Sequence, residues 1–348
     1  MRKYFFTCSV LVAAVWMGGA LAAWTPGPTV IPGSTLERAA ARAFLVLQKS
    51  GYRFVNGRSE KCASCHHTAL TAMVAELAAR KGIAGIDSLN ADRIRSMDRA
   101  LRTTTNPNLP VEFTEANFIA PYMLIGLAAA KYPPNSYTDM AVDYLMSQAL
   151  PDGRFIIESW RPPLETGEIH LIAVAIHAVR LYASPAQRAH ADMLVARSRQ
   201  YLEKADADGQ QELVFQLLGL RWCGGDSAKV SAVAKKLRSL QRSDGGWSQL
   251  STLRSDACAT GQSLYALNET GLGKDDPCYQ QGLNYLLKTQ DKGGTWAVET
   301  RAYAIQPFVD SDFPPFDDSQ FVSAAATNWA VMAMLKALPD RAIAILEP

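Results

Sequence analysis

One pattern recurs along the chain at a fixed spacing: the end of an apolar helical stretch, a glutamine, a glycine-containing turn, then an aromatic. It appears as Gln48 with Gly51 and Phe54, and as Gln148 with Gly153 and Phe155. It returns as Gln241 with Gly245, Gly246 and Trp247, and as Gln290 with Gly293, Gly294 and Trp296. The glutamines fall close to multiples of about 48 residues, which leaves room for two degenerate copies near 90–131 and 185–223. Six repeats is the simplest count. Units of this size cannot bury an apolar face alone, so they must stack on one another.

Each period holds two helix-length apolar patterns. The first of each pair is expected near 34–49, 88–104, 136–149, 185–204, 227–240 and 276–289, the second near 65–81, 114–131, 166–183, 209–222, 256–271 and 318–336. The second set is alanine-rich and apolar around most of its circumference, as in Leu171-Ile172-Ala173-Val174-Ala175-Ile176, and calls for burial on several sides. The first set is more charged, as in Ala91-Asp92-Arg93-Ile94-Arg95-Ser96-Met97-Asp98-Arg99, and suits a helix with one face in water. Twelve helices in two concentric rings satisfy both observations. No strand pattern of useful length competes, so the expected fold is all-α.

The Gln-x(2–5)-Gly-x-Trp segments are clear at Gln241–Trp247 and Gln290–Trp296 and weaker elsewhere. They resemble the QW repeats of the squalene-hopene cyclase and protein prenyltransferase superfamily. The resemblance covers nearly the whole chain over 34–348 and implies a single (α/α)6 toroid. In such toroids the loop after each QW turn leads into an inner helix. It therefore implies that the loops 55–66, 106–115, 154–168, 248–257 and 297–320 surround one cavity mouth.

Arg2 and Lys3 precede an apolar run from Tyr4 to Met17 and then Gly18-Gly19-Ala20-Leu21-Ala22-Ala23. A short positive head, a core of about fourteen apolar residues and Ala20-x-Ala22 read as a secretory signal over 1–22, followed by a linker over 23–33. A membrane anchor needs roughly 20 apolar residues. Cleavage after Ala22 lowers the 35 basic residues to 33, equal to the 33 acidic ones. That balance argues against a nucleic-acid surface, which needs a clustered basic excess. No later stretch has the length of a charge-free spanning helix. The expected destination is a periplasm or the exterior.

Cys62-Ala63-Ser64-Cys65-His66 is C-x-x-C-H, the attachment sequence for c-type haem. Two thiols at this spacing add to the two vinyl groups, and the following histidine turns its imidazole under the ring to the iron. The reading assigns Cys62 and Cys65 to thioether bonds, His66 as the proximal ligand, and one covalent haem c to the chain. A Cys62–Cys65 disulfide and a share in a zinc site are the competing readings; the zinc reading lacks a second C-x-x-C. The motif starts the first inner helix, and no separate haem domain of roughly 80–100 residues precedes it. The Ser-Cys-His-His segment inside a cyclase-like repeat is similar to exported bacterial squalene-cyclase-like proteins. The similarity extends to Gln306-Pro307-Phe308 and to Asp317-Asp318-Ser319-Gln320 leading into Ser323–Thr327. It implies fold and cofactor, and no activity.

For the sixth iron position, His67 follows the proximal ligand too closely and Met73 lies on the same helix. His170 and His177 share one face of the third inner helix, being seven residues apart. His170, nearer the N-terminal end, is the candidate distal ligand or distal acid/base. His177 reads as a hydrogen-bonded core histidine, His190 as a solvated one, and Met123 as core filler. Arg53, Arg58, Arg161 and Arg301 lie in the mouth loops and could pair with haem propionates.

Cyclases of this superfamily use an acidic D-x-D-D motif. Asp310-Ser311-Asp312 and Asp317-Asp318 approximate it, split by Phe313-Pro314-Pro315-Phe316. Asp317 and Asp318 are the candidate acids, with helix capping as their structural reading. Trp160, Tyr303, Phe308, Phe313 and Phe316 are candidate pocket aromatics. One toroid has half the architecture of a two-barrel cyclase, which argues against a full cyclase. Asp256-Ala257-Cys258 matches two prenyltransferase zinc ligands, but no histidine follows His190. Cys223-Gly224-Gly225-Asp226 departs at two positions from the thioester motif of complement-like toroids. Cys223, Cys258 and Cys278 leave one disulfide and one thiol, with Cys258–Cys278 one of three pairings.

The expected function is that of an exported c-type haem protein, in electron transfer with a redox partner protein or haem-assisted oxidation of a small apolar molecule. One alternative is a haem-free toroid that binds or isomerises an isoprenoid-like lipid with Asp317 or Asp318 as acid. Another is a structural repeat protein held by a Cys62–Cys65 disulfide.

Overall fold

The computed structural model describes residues 31–57, 63–104, 116–157, 161–303 and 311–341. Among them twelve α-helices alternate between two rings. The outer ring is α1 (Gly33–Asn56), α3 (Asp87–Thr104), α5 (Ser136–Ser147), α7 (Arg188–Lys204), α9 (Ser227–Ser239) and α11 (Pro277–Thr289). The inner ring is α2 (Leu70–Arg80), α4 (Ala116–Ala129), α6 (Glu168–Tyr182), α8 (Gln210–Cys223), α10 (Ala257–Glu269) and α12 (Gln320–Lys336). Each inner helix packs on the next and α12 packs on α2, closing the ring. Strands are absent among the described residues, where only isolated bridges such as Trp247–Asp256 occur. None of the helices among the described residues is long and apolar enough to cross a membrane.

Gln241 and Gln290 hold adjacent repeats together. Gln241 donates from Nε2 to the Gly245 carbonyl of its own turn and to Cys278 O at the start of α11, both at 2.9 Å. Gln290 donates to Gly294 O at 2.9 Å and to Ala39 O of α1 at 3.0 Å, so the last repeat is tied to the first. Trp247 and Trp296 are buried, and each donates its indole N–H at 2.9 Å to a carbonyl ten residues earlier, Leu237 O and Leu286 O. A large apolar body with its one polar atom satisfied is worth about 3–5 kcal/mol against alanine. The turn glycines Gly153, Gly245 and Gly294 all have positive φ, and each abuts the outer helix of the next repeat. A Cβ on Gly245 would stand 2.5 Å from Gln281 O of α11.

Two repeats depart from the pattern. The expected turn after Gln48 does not form: α1 continues to Asn56, and Gly51 and Phe54 lie within it. Gly51 serves packing there, since a Cβ would meet His67 O at 2.7 Å. In the fourth repeat Gln216 of α8 reaches back to Leu202 O (2.7 Å) and Ala205 O (2.8 Å), meeting the carbonyls at the end of α7.

Alternate interfaces of the inner ring are closed by glycine. Gly126 of α4 lies against Ala69, Gly219 of α8 against Ala173 of α6, and Gly261 of α10 against Trp329 and Ala330 of α12. The suggested Cys258–Cys278 pairing is not formed; both thiols are free and buried, as is that of Cys223.

Candidate functional site at the toroid mouth and axis

The segment that carries the C-x-x-C-H motif enters α2 through a π-helical turn, Cys65–Ala69. Single π-turns are rare and recur at functional sites. Ser64 organises this one: its Oγ accepts from His67 N at 3.1 Å, and its own N–H donates to Thr68 Oγ1 at 3.0 Å. Asn328 of α12 donates from Nδ2 to His66 O at 2.8 Å and to Ala324 O at 2.9 Å. A polar residue in the middle of a largely apolar inner helix thus meets a carbonyl of the wider turn.

The two imidazoles that follow Cys65 are packed among rings. Phe321 stacks on His66 with centroids 4.8 Å apart, and Phe54 stacks on His67 at 4.8 Å and 7°. Phe313 meets His67 edge-on at 6.0 Å. Burial pushes His66 down to about 3, with Arg161 adding to the effect, and His67 well below its ordinary value, with His66 adding. Both are therefore neutral at any ordinary pH. His66 Nδ1 faces His67 Nδ1 within hydrogen-bond reach and lies 3.3 Å from Ser64 Oγ. No hydrogen bond to His66 Nε2 is made among the described residues, and His67 Nε2 is buried without a partner. Cys65 is buried beside them; Cys62 lies outside the described residues.

A second cluster crosses the ring. Phe118 and Tyr122 of α4 meet His170 of α6 edge-on at 5.2 and 5.8 Å. His170 stacks on Phe215 of α8 at 3.7 Å, Phe215 meets Trp329 of α12 at 6.3 Å, and Trp329 meets Tyr265 of α10 at 5.4 Å. Helices α8 and α12 are separated in the ring by α10, so the contact between Phe215 and Trp329 lies inside it, toward the axis. His170 Nδ1 lies 3.1 Å from Thr166 O, which can only accept, and 3.3 Å from Gln211 Nε2, which donates to Pro163 O at 2.7 Å; the nearer carbonyl places the proton on Nδ1. Nε2 then accepts from the Tyr122 hydroxyl at 2.7 Å. Burial lowers His170 to about 3, opposed by the Thr166 carbonyl, and raises the Tyr122 hydroxyl well above its usual range, with Cys65, Cys258 and Glu165 contributing.

The remaining sequence candidates are dispersed. Both nitrogens of His170 are engaged within the protein, so iron ligation by this side chain would cost the Tyr122 hydrogen bond. Asp317 and Asp318 are exposed, and neither caps α12: its N-cap residue is Ser319, without a side-chain cap hydrogen bond, and Asp317 accepts from Ser319 N at 2.7 Å in the turn before the helix. Asp312 pairs with Arg53 at 3.0 Å and Arg161 with Glu165 at 3.6 Å, while Arg301 donates to Gln249 Oε1 at 2.8 Å. His177 stacks on Trp222, His190 is exposed, and Met123 is fully buried. Phe313 is buried, whereas Tyr303 and Phe316 are exposed. Arg58, Trp160, Phe308 and Asp310 lie outside the described residues. Asp256 caps α10 through Ala259 N at 2.9 Å, and burial raises its carboxyl. Groups of three or more His, Cys, Asp or Glu placed to hold a metal ion are absent among the described residues.

Neither a family model nor a curated protein sequence matches the chain. Solved structures do match in fold. The type II terpene cyclase MstE from Scytonema, in its apo form, superposes with a TM-score of 0.58 at 14% identity, over 88% of this chain and 99% of that one. A variant of the same enzyme solved with geranylgeranyl dihydroxybenzoate gives 0.57 at 16% identity, over 88% and 98%. A protein from Actinoplanes gives 0.58 at 14% identity, over 88% and 99%. At these identities the likeness is one of fold: an all-α toroid of terpene-cyclase type. It also corrects the size argument above, because a type II terpene cyclase is matched over nearly its whole length by this one toroid.

Proposed function

We propose that the toroid binds a small isoprenoid-like molecule against the aromatic side chains of its axis. The observation that carries this is the run Phe118–His170–Phe215–Trp329–Tyr265, drawn from five inner helices and meeting inside the ring. It offers an apolar, ring-lined surface with one polar point, the Tyr122–His170 pair. Such sites, mostly apolar with a few placed polar groups, suit ligands with a long hydrocarbon part and a single polar head. The fold shared with a cyclase solved with a geranylgeranyl compound supports the same class. The Tyr122 oxygen keeps acceptor capacity after donating to His170 and would orient a ligand hydroxyl.

The haem reading is proposed alongside, on a separate observation: His66 has Nδ1 engaged and, among the described residues, no hydrogen bond at Nε2, and it is held neutral by burial. A histidine that ligates iron needs that state, with the other nitrogen fixed by a neighbour. Cys62 and Cys65 would hold the group and His66 would be its proximal ligand. Bound haem would supply one-electron chemistry at the mouth. Ser64 and Asn328 orient the segment, and Phe54 and Phe321 keep water from the imidazoles. Export across an inner membrane fits the assembly of such a site.

Two measurements test these readings. Titration with geranylgeraniol should quench tryptophan fluorescence saturably in wild type and much less in Trp329→Phe; equal, non-saturating quenching in both would remove the ligand reading. Purification from a host with c-haem maturation should give a pyridine haemochrome spectrum that is lost in Cys62→Ser/Cys65→Ser. Its absence from the wild-type protein would sink the haem reading and leave the first standing.

A further inference from the structure

At the end of the toroid opposite the mouth, a cleft of about 470 Å³ opens among Arg180, Arg221, Trp222, Cys223, Gly224 and Glu269. Its walls are the C-terminal ends of α6, α8 and α10, where helix carbonyls lack intrahelical donors. Arg180 of α6 donates to Trp222 O of α8, and Arg221 of α8 donates to Glu269 O of α10 at 2.8 Å. Each guanidinium is thus pinned by one N–H while the rest of its five donors stay available. Neither arginine is in an ion pair among the described residues. The carboxylate that shares the cleft, Glu269, is already paired with Lys336, whose ammonium also lies 5.3 Å over the Tyr265 ring.

The other walls are flat and uncharged. The Trp222 indole stacks face to face on His177, with centroids 4.0 Å apart and planes within 14°. Burial, with Arg180 adding, lowers His177 to about 4, so the stack is neutral. The Cys223 thiol is held up to about 11 by burial and lies 3.6 Å from Leu220 O, so it is a protonated wall rather than a nucleophile. Gly224, in the left-handed conformation, leaves open space above it: a Cβ there would meet nothing within 4 Å. The volume falls in the range of small-molecule sites.

We propose that this cleft binds a phosphate-bearing small molecule, with the oxyanion held between Arg180 and Arg221 and a planar part against Trp222. Guanidinium forks recognise phosphate oxygens in pairs of charge-assisted hydrogen bonds. Two forks facing one cleft offer that geometry: Glu269, the carboxylate lining it, is paired with Lys336, Glu203 near the Cys223 thiol is paired with Arg199, and the guanidiniums themselves meet carbonyls of the helix C-termini. The proposal is independent of the axis ligand and of haem, since the cleft lies beyond the C-terminal ends of the inner helices.

The test is isothermal titration calorimetry of the full chain at low ionic strength with inorganic phosphate and with phenyl phosphate. Saturable binding is expected for both, tighter for phenyl phosphate if the planar part is used. Arg180→Lys/Arg221→Lys keeps both charges and a donor for each helix carbonyl, and circular dichroism checks that it folds. Loss of the forks should weaken both ligands by at least about tenfold, the scale of one charge-assisted bond. Should the double variant not fold, Arg221→Lys alone should weaken both by several-fold. Trp222→Leu should weaken phenyl phosphate several-fold more than inorganic phosphate; equal weakening would remove the planar part of the proposal. No saturable heat with either anion up to about 10 mM, a free energy near the weakest specific binding, would overturn it. So would unchanged affinities in the lysine variants.

Discussion

Replacing Gly261 by alanine probes the closest approach in the inner ring. A Cβ at this position would stand 2.6 Å from Ala330 N and from the Trp329 carbonyl carbon, and 2.9 Å from Trp329 Cβ. The two nearest atoms are backbone, so no rotamer change relieves the contact; α10 and α12 must separate. Non-bonded heavy atoms settle at about 3.5–4.0 Å, so the required opening is about 0.9 Å or more. Inserting one methyl into a packed interior costs about 1–3 kcal/mol, and the backbone contact places this case at the upper end. Alanine's better helix propensity offsets about 1 kcal/mol. The net expectation is a loss of about 2 kcal/mol. Gly219→Ala is the internal comparison. Its closest obstacle is Leu202 Cδ1 at 2.7 Å, the end of a side chain, followed by Ala173 Cβ at 3.1 Å. There the propensity gain should offset most of the cost, leaving a loss below about 1 kcal/mol. Urea unfolding followed by far-ultraviolet circular dichroism reads both as midpoint shifts at constant slope. A Gly261→Ala midpoint equal to or above that of wild type, or above that of Gly219→Ala, would refute the reasoning. Because Trp329 follows α12, the same variant should also blunt the geranylgeraniol quenching.

Three further expectations follow from single contacts. Asn328→Leu removes the side-chain donor to His66 O and should destabilise by about 1–3 kcal/mol, with faster amide exchange over 67–70; unchanged exchange there would contradict the role given to Asn328. Gln290→Leu severs the tie between the last repeat and Ala39 and should cost about 1–3 kcal/mol, whereas Gln148→Leu, whose side chain among the described residues bonds to the neighbouring Ser147, should cost little; equal losses in urea would count against the ring-closing role. His177 is held at about 4 in the fold against 6.5 ordinarily. The unfolded chain therefore takes up this proton first, so the contribution of His177 is full above about 6.5 and is lost as pH falls toward 4. His177→Phe should lose less stability than wild type between pH 7.5 and 4.5 by urea titration, and identical losses would refute the assignment.

The fold was legible because its signals are local and repeated. A Gln six residues before a Trp, with glycine between, specifies a turn whose amide meets both its own glycine carbonyl and the next outer helix and whose indole meets the carbonyl ten residues earlier, and Gln241 and Gln290 realise it in the same way. The helix boundaries followed from apolar periodicity to within a few residues. Where the local signal was thinner the expectation failed: Gly51 looks like a turn residue, yet lacks the Asp-Gly or Gly-Gly neighbours of the true turns and serves a packing contact within α1. The site was legible only in part, for a related reason. The C-x-x-C-H motif is contiguous, so its place at the head of α2 could be read directly. Around His170 of α6, the axis is assembled from Phe118, Tyr122, Phe215, Tyr265 and Trp329, one or two residues from each of four helices, and every one of these five has the pattern of an ordinary core position. What separates them from core filler is which neighbour they meet across the ring, a property of closure rather than of any segment. Asn328 is the exception that a sequence could flag: an amide among Ala324, Ala325, Ala326, Ala330 and Val331 is costly to bury unless its donor is used, and the donor is used on the carbonyl of His66. The same logic applies to His170. A buried imidazole at the head of an apolar helix invites a ligand role when read alone, but the Thr166 carbonyl four residues earlier and the Tyr122 hydroxyl from the preceding inner helix already account for both nitrogens. A histidine's chemistry is therefore set by what its two nitrogens meet: His170 has both engaged, whereas His66 and His67, both neutral, have Nδ1 engaged and no hydrogen bond at Nε2 among the described residues.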